Sequence, residues 1–334
     1  MPGPVFFYGK LPDCIDFVRH NASGSGVRAL DRWIQEALYA AAHHFGQAWN
    51  DAYDKTPPYH FVFSPEDVGA FLVGVLQPSR DKSERKYPFC VALKKEKRTL
   101  QARSIPLLPL MFAPFFEESQ VIIQLGIRGV SPSRLAERIK DMGAAIEENF
   151  EMSQQTFQEY LARTPQQKFW FDLFGDFHDP KKLLILQNLV EIFQLGSTGP
   201  LRSSKVCLRF PLSGQEHSSI QEVCFWTHVC SRLLGDDSFS PHLFWKIGGT
   251  KGKDFLFLFL GKVPPKSFIQ MVDPDAESDS VCRLDEDGKE KLARLDHGIP
   301  AGWTIMARAE LTLADLLRQI GHPFGQEGHG EGFD

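Results

Sequence analysis

Short apolar runs bounded by Gly, Pro or Ser recur along the chain, a pattern that is typical of buried β-strands. The runs predict strands at residues 5–8, 59–63, 70–76, 87–93, 121–125, 206–210, 242–246, 255–260 and 302–306. The connection between residues 63 and 70 is too short for a crossover helix, so part of the sheet must be antiparallel.

Helical periodicity separates these strands. Between residues 27 and 49, apolar residues at three-and-four spacing mark one face of a helix, and charged residues occupy the opposite face. Capping residues predict the starts of four further helices. These lie at Ser131, Asp179, Ser218 and Thr312. Strands and helices therefore interleave, which predicts a mixed α/β sandwich with a partly antiparallel sheet. Residues 150–200 carry only helical signals and are interpreted as a helical insertion.

Composition excludes several classes of protein. The chain has 334 residues, of which 43% are hydrophobic, so it is not a disordered chain. Its net charge of −5 provides no global basic field for nucleic-acid binding. No apolar run reaches the roughly 20 residues of a membrane span, and no secretory signal opens the sequence. Six cysteines without a CxxC pair are typical of a reducing compartment. We expect a cytoplasmic protein with free thiols.

Two candidate sites for bound groups fail on spacing. The glycines and lysine of residues 248–253 lack the order of a phosphate-binding loop and favour a hairpin turn. Cys224, His228 and Cys230 share a predicted helix, but no second pair of ligands accompanies them. We therefore expect no metal and no cofactor.

Charge is distributed unevenly along the chain. Residues 80–103 carry nine Lys or Arg and three Asp or Glu, whereas residues 273–296 carry nine acidic and four basic residues. We hypothesise that the two segments neutralise each other within the fold, so that displacing the acidic segment uncovers a basic surface.

The segment FYGKLPDCIDFVRH, residues 7–20, resembles the N-terminal region of the TagF family of type VI secretion-associated proteins. The family pattern Phe-Tyr-Gly-Lys-Leu-Pro matches residues 7–12, and its Gly-Asp-Phe with a following arginine matches Asp16, Phe17 and Arg19. Similar stretches follow at residues 78–89, 243–245 and 263–268.

Two residues depart from the family pattern. Ile15 and Glu84 stand where the family has glycine, which permits backbone conformations that a side chain resists, so we expect remodelled loops at residues 13–17 and 82–86. The matches extend over residues 5–125 and 205–272. We accordingly divide the chain into a TagF-like domain at 1–272, containing the helical insertion, and an acidic segment with a C-terminal extension at 273–334.

The resemblance implies a three-layer α/β sandwich and a regulatory protein that is not an enzyme. TagF proteins look like cytoplasmic, post-translational repressors of type VI secretion assembly, connected with the threonine-phosphorylation pathway and with a forkhead-associated scaffold protein. The implied partner is that scaffold or another secretion-system component, with neither nucleic acid nor a membrane span.

Charged loop residues are the candidates for partner binding, because packing does not require them. They are Lys10, Asp13, Asp16, Arg19, Ser79, Asp81 and Arg85. The other motif residues are expected to serve packing. They are Gly9, Pro12, Phe17, Trp33, Trp49, Pro88 and Trp245.

Two alternative functions remain open. Lys10, Asp13, Asp16 and Arg85 are also suited to an enzymatic or small-molecule site in a pocket at the strand ends. The protein is alternatively a structural accessory component of the secretion apparatus.

Overall fold

The computed structural model describes residues 5–65, 69–145, 149–196, 207–215, 219–235, 239–246, 254–286 and 306–320. Nine strands of these residues form one sheet. They are β1 (Val5–Gly9), β2 (Val18–His20), β3 (Tyr59–Phe63), β4 (Ala70–Gln77), β5 (Phe89–Glu96), β6 (Cys207–Leu212), β7 (His242–Trp245), β8 (Asp254–Phe259) and β9 (Val281–Arg283). Their order is β2-β1-β5-β4-β3-β7-β8-β6-β9, and only β6 and β9 pair in parallel. The predicted mixed sheet is confirmed.

Helices cover both faces of the sheet. They are α1 (Ser25–Phe45), α2 (Trp49–Lys55), α3 (Leu108–Met111), α4 (Ala113–Ile127), α5 (Pro132–Ala145), α6 (Phe150–Arg163), α7 (Gln166–Phe174), α8 (Lys181–Gly196), α9 (Ser219–Leu234), α10 (Phe268–Val272) and α11 (Leu313–Ile320). One face packs against α1 and α10 around Phe61 and Phe244, and the other packs against α3 to α9 and α11 around Val73 and Trp226. The layers are therefore helix, sheet and helix.

Long apolar runs predict the strands well, but the strand predicted at residues 121–125 is wrong. These residues lie in α4, whose buried positions Phe115, Ser119, Ile122 and Gly126 follow helical spacing. A short apolar run does not distinguish a strand from one turn of a buried helix. The strand predicted at residues 302–306 lies outside the described residues except for Met306.

Residues 150–196 are helical, as expected, and their apolar side chains join the main core. Phe157, Trp170 and Leu189 are buried in the same cluster as residues of the sheet. The backbone amide of Gln166 donates to the carbonyl of Leu311 at 2.7 Å, which joins α7 to the segment before α11. The α11 start predicted at Thr312 is confirmed, because the amide and hydroxyl of Thr312 each donate to Asp315 at 2.8 Å.

The described part of the acidic segment, residues 273–286, is built into the sheet through β9. The buried guanidinium of Arg209 in β6 donates to the carbonyl of Pro274 at 2.8 Å and to the carboxylate of Glu286 at 2.5 Å. Arg283 binds the other oxygen of Glu286 at 2.9 Å. Local arginines therefore hold this acidic segment, and its remainder from residue 287 lies outside the described residues.

The basic segment at residues 80–103 does not form one continuous surface. Its middle is β5, which lies inside the sheet between β1 and β4. An eight-residue strand is roughly 27 Å long, so residues 80–86 and 97–103 lie at opposite ends of it. The hypothesis of two mutually neutralising surfaces therefore applies at most to one end of the basic segment.

Candidate functional site

The end of β1 is placed against the start of β5 by Gly9. The backbone of Gly9 has φ +133°, and a Cβ added there would lie 2.1 Å from the carbonyl oxygen of Pro88. Only glycine permits both this conformation and this close approach. Lys10, the next residue, is thereby directed towards the loop that precedes β5.

A buried carboxylate, Asp81, lies at the centre of the site. The ammonium of Lys10 is 3.0 Å from its Oδ2, and the Nε of Arg85 donates to the same oxygen at 2.7 Å. The backbone amides of Ser83 and Arg85 donate to Oδ1 at 2.9 and 3.0 Å. Burial raises the pKa of Asp81, but the hydrogen bonds from Lys10, the two amides and the Arg85 side chain outweigh it and lower the pKa to about 2. Asp81 is therefore ionised at neutral pH.

Arg85 joins the two motif loops, residues 10–17, which lead into Arg19 of β2, and residues 79–88. Besides its bond to Asp81, its guanidinium donates to the carbonyl of Ile15 at 2.6 Å and lies 3.7 Å from the Asp16 carboxylate. The backbone amide of Lys82 also donates to the carbonyl of Cys14 at 2.9 Å. The loops that the sequence motif separates by about 70 residues thus form one surface, which we call the motif surface.

Helix α2 supports the second loop from behind. The hydroxyl of Tyr53 donates to the carbonyl of Ser79 and accepts from its amide, both at 3.1 Å. Asp54 binds Arg80 at 2.9 Å and Lys86 at 2.6 Å. The sequence reasoning did not assign Asp54, Arg80 or Lys86 to the site, and no local pattern distinguishes them from other surface charges.

Glu84 adopts a backbone conformation that favours glycine. Its φ is +63°, one of two left-handed non-glycine residues in the described part of the chain. The amide of Glu84 donates to the carbonyl of Asp81, and its carboxylate binds Arg80 at 2.6 Å. The loop thus has a glycine-like backbone at the position where the family pattern has glycine. Ile15, the other departure, has no left-handed backbone.

The predicted partner-binding residues form two groups that differ in burial. Lys10, Ser79 and Asp81 are buried, so they position the loops and present little surface to a partner. Asp13, Asp16, Arg19 and Arg85 are exposed. Asp13 lies apart from the Asp81 cluster, against Gly129, where an added Cβ would lie 2.3 Å from its Oδ2.

The residues expected to serve packing are buried with a few exceptions. Gly9, Trp33, Pro88 and Trp245 are buried, whereas Pro12 and Trp49 are partly buried. Phe17 differs most from the expectation, because 40% of it is exposed and its ring packs at a steep angle to that of Tyr87, with the ring centres 4.7 Å apart.

The metal candidates on α9 do not form a ligand set. Burial raises the pKa of the Cys224 thiol to about 12 and lowers the pKa of His228 to about 4. Within the described residues, no three His, Cys, Asp or Glu side chains are grouped as a metal site requires.

A groove of about 460 Å³ lies on the helical side, between Pro165 and His178, and includes none of the motif residues.

Part of the chain matches a known protein family. Residues 6–142 match the family model of the TagF N-terminal domain, which is described as type VI secretion system-associated. No curated protein matches the chain. The crystal structure of PA0076 from Pseudomonas aeruginosa PAO1, at 2.05 Å resolution, has 17% sequence identity and a TM-score of 0.45, and the match covers 82% of this chain and 96% of that one. The family match contains both loops of the motif surface.

Proposed function

We propose that the chain, of which residues 6–142 match the TagF N-terminal domain, is a type VI secretion-associated protein that represses assembly of the secretion system after translation. It acts in the cytoplasm by binding another protein, and it uses no cofactor and catalyses no reaction. The proposed partner is the forkhead-associated scaffold protein of the same secretion system.

The observation that carries this proposal is the pair of loops joined by Asp81 and Arg85. The charged groups of these loops are hydrogen-bonded within the protein, since four donors satisfy the Asp81 carboxylate. The side chains that remain on the outside, Asp16 and Arg85, are 89% and 56% exposed. A fixed, exposed surface of this kind suits protein recognition better than catalysis, which requires polar groups converging on a concave pocket.

An enzymatic or small-molecule site using Lys10, Asp16 and Arg85 is the weaker proposal. Lys10 is buried and paired, whereas Asp16 is directed to solvent, so the three groups do not surround a shared concavity. A structural accessory component would stay with the assembled apparatus after firing, whereas a repressor would be absent from it. The absence of a spanning helix in the described part of the chain agrees with either role.

Deleting the gene and measuring the secreted tube protein tests the repressor function. We expect secretion to increase and to return to the original level when the wild-type gene is restored. Unchanged or reduced secretion would exclude repression.

A pull-down with the forkhead-associated scaffold protein tests the surface. Asp16→Ala and Arg85→Ala are both expected to reduce capture, and thermal unfolding checks that each variant is folded. Asp51→Ala, which removes an exposed carboxylate of α2 outside the motif loops, is the matched control. Capture by both variants at the wild-type level would count against these residues.

A further inference from the structure

Two large apolar side chains from one short segment are exposed on the motif surface. Ile15 is 63% exposed and Phe17 is 40% exposed, and only Asp16 separates them in the chain. The other large exposed apolar residues of the described chain lie elsewhere, on helices α1, α4, α6 and α7. Single exposed apolar residues are common on protein surfaces, but a pair on a fixed loop is a candidate contact site.

The loop that carries the pair is fixed before any partner binds. Arg85 holds the carbonyl of Ile15 at 2.6 Å. The centre of the Phe17 ring lies 4.7 Å from that of Tyr87 in a T-shaped arrangement, 5.3 Å from Lys10 Nζ and 5.9 Å from the Arg19 guanidinium. Because these contacts restrict the loop, binding through it costs little conformational entropy.

The charges beside the pair indicate what a partner must supply. In the described residues no ion pair with a carboxylate neutralises Arg19, whose guanidinium lies 5.9 Å from the centre of the Phe17 ring. Lys82 lies at the Ile15 end, where its amide binds Cys14 and its side chain is exposed. A complementary surface therefore brings carboxylates to these two cations and an apolar recess to the side chains between them.

We propose that Ile15 and Phe17 form the apolar anchor of the motif surface, and that the partner protein offers an apolar recess with a carboxylate at its rim facing Arg19. This inference rests on the proposed function and assigns the contact to side chains that the motif charges only position. The exposed carboxylates of Asp13 and Asp16 lie in the same segment as Arg19, so the surface carries both signs of charge, and its complement is a protein surface with matching charges and not a uniformly anionic membrane.

The test uses substitutions matched for exposure. Ile15→Asp is compared with Met152→Asp, since both side chains are 63% exposed, and Phe17→Ala is compared with Val121→Ala, where Val121 is 41% exposed. Affinity for the purified forkhead-associated scaffold protein is measured by titration calorimetry, and repression is measured as secreted tube protein in the deletion strain. Ile15→Asp and Phe17→Ala are expected to weaken binding about tenfold or more and to raise secretion. The two control variants should stay within about twofold of wild type.

Two further variants separate contact from folding. Ile15→Gly removes the side chain with the residue of the family pattern, so it should keep the thermal midpoint while weakening binding. Arg19→Glu should weaken binding and also reduce its dependence on salt, an effect that loss of packing alone would not produce.

Each outcome has a distinct consequence. If the wild-type protein binds and represses while Ile15→Asp, Ile15→Gly and Phe17→Ala do so equally well, the anchor is excluded and the proposed function stands. If the wild-type protein neither binds nor represses, both proposals fall. Binding to anionic vesicles or self-association that the anchor variants abolish, without an effect on scaffold binding, would also overturn the inference.

Discussion

Asp81 organises the motif surface because one buried carboxylate receives bonds from two loops. Its partners Lys10 and Arg85 lie before and after it in the chain, and each is bonded to it in the folded state. A buried charge is tolerated when hydrogen bonds replace its hydration, and removing one partner leaves the others unsatisfied. The motif residues therefore hold the two loops in a fixed geometry, in addition to any contact that they make with a partner.

Asp81→Asn tests this role. The variant leaves the Lys10 ammonium buried without its counter-charge, so we expect the thermal midpoint to fall by about 5–10 °C at pH 7. The wild-type carboxyl has a pKa of about 2, below the value of about 3.9 in an unfolded chain. Its stabilisation is complete above about pH 4 and is lost as the pH falls towards 2, so the difference between the two proteins should shrink there. Equal midpoints at pH 7, measured by calorimetry, would contradict the prediction.

Most substitutions lower the free energy of unfolding, whereas Glu84→Gly is expected to keep it or raise it. The left-handed backbone disfavours a side chain by roughly 1–2 kcal/mol, and glycine's greater freedom in the unfolded chain offsets about 0.5–1 kcal/mol of this. The exposed ion pair with Arg80 contributes little. The free energy of unfolding should therefore stay equal or rise by up to about 1 kcal/mol.

Lys82→Gly is the control for this substitution. Lys82 is exposed in the same loop but is not among the left-handed residues, so glycine there should lower the free energy of unfolding by about 0.5–1 kcal/mol. Urea denaturation of both variants gives the comparison. A loss of stability of the same size at both positions would show that Glu84 is not strained.

Among the secondary-structure elements, α9 is joined to the loop after β6 by a buried acid, Glu222. Its carboxylate accepts from the amide of Ser213 at 2.8 Å and from the hydroxyl of the same residue at 2.5 Å. Burial raises the pKa of Glu222 to about 7, although the bonds from Ser213 partly oppose the shift. The folded protein thus keeps a proton on this group at pH values where the unfolded chain has lost it.

This group predicts that stability falls as the pH rises. Because the unfolded pKa is about 4.3, the contribution is complete below that pH and is lost as the pH rises through about 7, by on the order of 3 to 4 kcal/mol. Glu222→Gln should flatten the dependence when urea denaturation is measured between pH 5 and 8. Glu159→Gln, on the exposed side of α6, is the control and should leave it unchanged. A slope that persists in Glu222→Gln would assign the dependence to another group.

The elements that local patterns predict are those whose own residues determine them. The apolar runs at β3 and β8 and the capping residues of α11 need no distant partner to be recognised. The edge strands β2 and β9 have three residues each and contain arginine or histidine, so no pattern identified them. They form because β1 and β6 offer them a neighbouring strand, which the local sequence does not reveal.

At the scale of the whole molecule, the family match ends at residue 142 but the folded unit does not. β3 lies in the interior of the sheet, where it pairs with β4 on one side and with β7 on the other. One apolar cluster contains residues from Val5 to Ile320. The N-terminal region therefore depends on later parts of the chain for the burial of its own strands.

A fragment of residues 1–145 should fail to fold independently. Without β7, the edge of β3 around Phe61 and Val62 becomes an unpaired apolar strand, which favours aggregation. We expect the fragment to lack a cooperative thermal transition, whereas the full chain unfolds cooperatively under the same conditions. A sharp transition and dispersed amide resonances in the fragment would show an autonomous domain instead.

Apolar period, capping and turn chemistry act over a few residues, so the α/β class, the long interior strands, the capped helices and the motif positions can be inferred from the sequence. Which motif residues are inside depends on how the chain folds back on itself. Lys10, Ser79 and Asp81 became interior positioning groups, while Ile15 and Phe17 were left exposed. The physical reason is that burial at this site arises from contacts between loops about 70 residues apart, and a local pattern carries no information about which distant group will satisfy a charge.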